Sequence, residues 1–134
     1  MLLDVGTLPE KSRPMRKQSD QGLDDKRYEL LRKFVQALSD LDSSTLQEDF
    51  DLTSVMILEI YELLPVYFLE GAAISIPLPT YGAAGDLIPL MTTYDYGDGD
   101  IAVECYLLGD GEPSEAILHV HFEKGNLIYG FINS

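Results

Sequence analysis

Residues 100–134 read DIAVECYLLGDGEPSEAILHVHFEKGNLIYGFINS, and apolar side chains recur there at alternate positions. Successive side chains of a strand point to opposite faces, so a period of two predicts extended segments with one apolar side. Leu118, Val120 and Phe122 fall on one face, and Ile101, Val103, Cys105 and Leu107 match them on the preceding segment. Ala102, Glu104, Tyr106 and Leu108 fall on the other face with Ile117, His119 and His121. The glycine-bearing stretches GDG (97–99), GDGEPS (109–114) and EKGN (123–126) separate the segments as hairpin turns.

Working toward the N-terminus, LIPLMTTYDY (87–96) reads as another strand, with Pro89 favouring its beginning or an edge. Ile88, Leu90, Thr92 and Tyr94 are expected to face the core, leaving Met91, Thr93 and Asp95 outside. AAISIPLP (72–79) is a short strand that Pro77 and Pro79 confine to an edge. Between them TYGAAGD (80–86) is a loop, and its Tyr81 is an exposed aromatic suited to an interface.

The period changes before residue 72. Tyr28, Leu31, Phe34, Val35, Leu38 and Leu41 recur at helical spacing and predict a first helix over about 25–40, capped by Asp24 or Asp25. STLQEDF (44–50) predicts a short second helix, opened by the capping-box pair Ser44 and Gln47 or Thr45 and Glu48. TSVMILEIYELLP (53–65) predicts a third helix that ends or kinks at Pro65. Only Glu59 and Glu62 interrupt its apolar surface, so it is expected to be covered on most sides, between the first helix and the sheet.

Helices followed by strands imply an α+β domain: three N-terminal helices packed on a four- to five-stranded antiparallel sheet. That order resembles, in outline only, the cystatin-like and nuclear-transport-factor-like rolls. Such rolls often hold a pocket between sheet and helices, but no residue motif here accompanies the outline, and fold does not assign function. Residues 1–23, punctuated by Gly6, Pro9, Pro14 and Gly22, read as a flexible, mildly basic tail, and residues 24–134 as a single domain.

Charge divides the chain along nearly the same line. Residues 34–134 hold 17 acids and one base, Lys124, for a net charge of −16, whereas residues 1–33 hold eight bases and six acids. A body of this kind repels phosphate, so nucleic acid is not an expected partner, while a basic protein is. Glu59, Glu62 and Glu70 interrupt the apolar stretch 55–84, and acids near a bilayer centre cost about 2.5–3.5 kcal/mol each. A membrane-spanning segment is therefore not expected. Cys105 is the only cysteine, which fits a reducing, cytoplasmic setting.

Candidate chemistry gathers on the polar face of the sheet, where the alternation places Asp95, Glu104, Tyr106, His119 and His121 together. A histidine beside a carboxylate can act as acid and base near neutral pH, or contact a ligand. Two histidines and a carboxylate also suit zinc, iron or copper, but a His-x-His pair alone does not define a metal site. No metal and no cofactor is therefore expected. The setting of the histidines depends on the last turn. If EKGN closes it, they share a face with Ile128, Gly130 and Ile132; if EKG closes it beside a bulge, they share one with Leu127, Tyr129 and Phe131. The first register is preferred, because it groups Leu127, Tyr129 and Phe131 with Leu118, Val120 and Phe122. Two functions follow. One is a non-enzymatic acidic module that binds a basic protein surface, as inhibitors and immunity-type proteins do. The alternative is a small ligand-binding protein or enzyme using the histidine face. A homodimer through that face or the Tyr81 loop is a third arrangement.

Overall fold

The structure, a computed structural model, describes residues 17–18, 23–78 and 90–134. Helix α1 spans Asp25–Ser39, α2 Ser43–Phe50 and α3 Ser54–Tyr67. The strands are β1 (Lys17–Gln18), β2 (Ile74–Ser75), β3 (Met91–Gly97), β4 (Asp100–Gly109), β5 (Glu112–Glu123) and β6 (Asn126–Asn133). They form one antiparallel sheet in the order β1-β3-β4-β5-β6, with β2 paired to the end of β4. Three helices on a curled antiparallel sheet make the α+β fold that the order of periodicities implied. Among the described residues no helix is long and apolar enough to cross a membrane.

Each helix opens on a side chain that accepts from the first turn. Asp24 accepts from the Arg27 N–H at 2.9 Å, and Thr53 Oγ1 from the Met56 N–H at 3.1 Å. Asp42, not Ser44 or Thr45, caps α2: it accepts from the Thr45 N–H at 3.2 Å and the Thr45 hydroxyl at 2.7 Å. Those bonds to the charged form hold the Asp42 carboxyl below its usual range. Helix α3 runs past Pro65 to Tyr67, because a proline in the last turn removes a single N–H donor. The Phe68 N–H still closes on the Leu64 carbonyl at 2.9 Å.

Three two-residue turns fold the sheet. Asp98–Gly99, Asp110–Gly111 and Lys124–Gly125 all carry positive φ at both residues, between 50° and 85°. This type I′ geometry matches the twist of antiparallel strands, and the second position is glycine each time because a side chain there is strained. Asp110 also clasps the edge strand. Its carboxylate accepts from the Ala73 N–H at 3.0 Å, and its own N–H donates to the Ala73 carbonyl at 2.7 Å.

The core lies between the helices and one sheet face. Leu31, Phe34 and Leu38 of α1 meet Val103, Cys105, Leu107, Leu118, Val120 and Phe122, all buried. Phe34 is edge-on to Phe50 of α2, with centroids 5.1 Å apart, and stacked on Tyr129 of β6 at 5.8 Å. Arg27 ties the start of α1 to the β3–β4 turn through the Gly99 carbonyl at 2.8 Å.

Three expectations need correction. On β3, Thr93 opposes Val103 and Met91 opposes Cys105, so these face the core, and Thr92 and Tyr94 face outward. The sequence Met-Thr-Thr-Tyr alternates too weakly to declare its own parity, and the neighbouring strand decides it. Leu108 is buried although its parity pointed outward, because a bulge between Tyr106 and Leu108 resets β4 where β2 covers it. Helix α3 is not enclosed. Only Ile57, Ile60 and Leu64 are buried on it, while Val55, Leu58 and Val66 are exposed, because α1 takes the position across the sheet that α3 was expected to share. Within the stretch 1–23, Lys17–Gln18 pairs with Tyr94–Asp95.

Burial, with Glu59 nearby, raises the Tyr129 hydroxyl to about 12 from an ordinary value of 10.0. Folding therefore favours the protonated ring, and this contribution is intact below pH 10 and is lost as pH rises through about 12. Urea titrations across that window are expected to show stability falling, and Tyr129→Phe is expected to flatten part of the slope. The remainder belongs to Tyr28, Tyr61 and Cys105, which burial also shifts upward. An identical slope in the variant removes Tyr129 as a cause.

Candidate functional site

The outer face of the sheet is built on β4, β5 and β6, and its alignment follows from the turns. Asn126 pairs with Glu123, Leu127 with Phe122, Ile128 with His121 and Tyr129 with Val120. That is the EKGN register, and it places Leu127 and Tyr129 with the core residues of β5 as preferred. One residue later the pattern breaks. Phe131 opposes His119 and Ile132 opposes Leu118, so Gly130 is the extra residue of a bulge. Phe131 therefore turns to the histidine face instead of joining the core, and Ile132 is buried in its place.

Glycine is needed at this point for contact, not for turning. A Cβ on Gly130 would lie 2.7 Å from the backbone oxygen of His119, closer than packed atoms approach. An interior strand glycine marks such close backbone approaches, and it was the one signal in the sequence that could have exposed the bulge.

The bulge gives His119 its surroundings. Its ring stacks on Phe131 with centroids 4.1 Å apart and planes 16° apart. Its Nε2 lies 2.9 Å from Asn133 Oδ1 and its Nδ1 lies 3.8 Å from Glu104 Oε2. Glu104 sits directly across the β4–β5 ladder from His119 and also takes a 3.4 Å contact from the Tyr94 hydroxyl. His121 opposes Ala102, and its Nε2 lies 3.1 Å from Glu123 Oε2. Tyr106 shares the face but opposes Ile117, a step further along. Asp95 does not share it: it opposes Ile101 on the helix side of the sheet, and its Oδ1 accepts from the Gly97 N–H at 2.8 Å. Tyr81 lies outside the described residues.

Between these side chains runs an open groove of about 530 Å³, lined by Tyr96, Asp100, Glu104, His119, His121 and Phe131 among others. Tyr96, Asn133 and Phe131 are additions that alternation alone did not supply. Among the described residues no group of three or more His, Cys, Asp or Glu side chains is disposed to hold a metal ion. Cys105 is fully buried on the opposite face, where desolvation drives its thiol far above the ordinary range. The arrangement offers carboxylates and two imidazoles, one of them stacked on the Phe131 ring, all facing solvent or half-buried. Compared with protein-family profiles, curated proteins and solved structures, the chain matches none.

Gly130→Ala is expected to lower stability by about 1–3 kcal/mol, the usual cost of forcing a methyl into a packed site. In the same variant the ring-current displacement of the His119 resonances by Phe131 is expected to shrink. A fully stable variant with unchanged His119 resonances means the bulge does not depend on glycine.

Proposed function

We propose that this chain is a non-enzymatic acidic module that binds a basic protein surface in the cytoplasm. One observation carries the reading: between Lys33 and Lys124 the chain holds no lysine or arginine, while residues 34–134 hold 17 acids. Three of the eight bases that precede this run are engaged within α1 or on its neighbours. Arg27 pairs with Asp24 at 3.0 Å, Arg32 with Glu29 at 2.6 Å and Lys33 with Asp49 at 2.7 Å. After Lys33 the 17 acids face the single base Lys124, so the field over this part of the chain is predominantly negative. Such a field attracts oppositely charged proteins and disfavours acidic ones and nucleic acid. The buried thiol of Cys105, the only cysteine, accords with a reducing compartment. In a pull-down from lysate, the partners recovered at low ionic strength are expected to be basic. They are expected to be released as salt approaches about 0.1–0.2 M, where screening acts within about 10 Å. Recovery indifferent to salt, or of acidic partners only, overturns the reading.

A second reading is favoured by the meeting of Glu104, His119 and Phe131. Their groove lies within the size range of small-molecule sites. On this reading a compound from a metabolite library raises the melting temperature, and Phe131→Ala abolishes the effect. A library in which nothing stabilises the protein removes it.

A further inference from the structure

Among the described residues, nothing packs on one face of helix α3. Val55, Leu58, Pro65 and Val66 lie on it with Glu59 and Glu62, all exposed, Val66 at 71%. Just past the helix, Leu69 is 87% exposed. From Val55 to Leu69 the stripe extends about 20 Å at 1.5 Å per helical residue. At its C-terminal end it opens into a groove of about 640 Å³ between α3 and the end of α1, lined by Leu41, Tyr61, Pro65, Phe68 and Leu69. Leu41 is itself exposed on this surface. The groove and the stripe share Pro65 and Leu69, so they form one continuous apolar track.

The charges around it say what covers it. Among the described residues, the only charged ones lining the groove are Asp40 and Glu70, and the only charges on the α3 face are Glu59 and Glu62. An apolar track bordered by acids alone fits an apolar ridge flanked by cations, whose aliphatic stems can lie on valine and leucine while their charges reach the carboxylates. A second copy of this chain would bring the same acids against each other, which disfavours it.

We propose that this track docks an amphipathic helix of a partner protein, with leucine-type side chains at helical spacing and lysine or arginine along both flanks. The proposal rests on the acidic-module reading and gives it a location and a partner class. The test uses the full ¹⁵N-labelled chain and a synthetic helix about four turns long, with leucines on one face and lysines flanking them. A control peptide carries glutamate in place of each lysine. The lysine peptide is expected to shift the amides of Leu41, Leu58, Tyr61, Val66 and Leu69, and to leave those of Glu104, His119 and Phe131 in place. The glutamate peptide is expected not to bind. Leu58→Ser and Leu69→Ser, both at exposed sites, are each expected to weaken binding by about tenfold or more, as for a central apolar contact.

Shifts centred on the outer sheet face, or spread evenly over the acidic surface, overturn the docking site and leave the acidic-module reading standing. Failure of the lysine peptide to bind, or equal binding of the glutamate peptide, also overturns the docking site, and the salt-dependent pull-down then judges the broader reading separately. A dimer in light scattering that Leu58→Ser dissolves gives the track to a second copy and overturns the proposal as well.

Discussion

Phe34 is the contact on which the rest of the molecule depends. It is fully buried, edge-on to Phe50 and stacked on Tyr129, and so joins α1, α2 and the last strand in one cluster. Aromatic pairs in these geometries add to the burial of their area. The cluster also explains why α1 dominates the helical layer: its stripe of Leu31, Phe34, Val35 and Leu38 takes the sheet's apolar face. Helix α3 is left at the flank, with one side buried and the other open to solvent. The exposed track along α3 is thus a consequence of the core arrangement, not an isolated surface feature.

The acidic character of the body is compatible with this fold because almost none of it enters the core. Thr93 is the only polar residue among the buried described positions, and it opposes the apolar Val103 across the ladder. Acids instead occupy turns and caps, where they accept from backbone donors: Asp24 and Asp42 at helix starts, Asp110 against the edge strand, Asp95 beside its own turn. Carboxylates in these positions stabilise chain reversals. Glu59 and Glu62, on the exposed side of α3, cap no described helix or turn.

On the outer face, a single extra residue in β6 determines what surrounds His119. Without the bulge, Phe131 would lie inward and the histidine would sit among aliphatic residues. With it, Phe131 stacks on the imidazole and Asn133 comes within 2.9 Å of Nε2. Bulges re-aim side chains at strand edges, and β6 is the edge strand at this side of the described sheet.

Much of the architecture was legible in the sequence. The helical stripe of α1 and the alternation of β4 and β5 report local chirality, which places side chains at 100° or 180° intervals whatever lies around them. The three X-Gly turns are likewise local, since only glycine adopts their second position without strain. Tertiary structure alone decided three things: the face Thr93 would take, which strand pairing sets; how much of α3 would be covered, since an apolar helix does not state what covers it; and the place where β6 would slip by one residue. Alternation counts parity only within an unbroken strand. Once Gly130 lets the backbone approach His119, every later side chain changes sides, and only the packed sheet records where that happens.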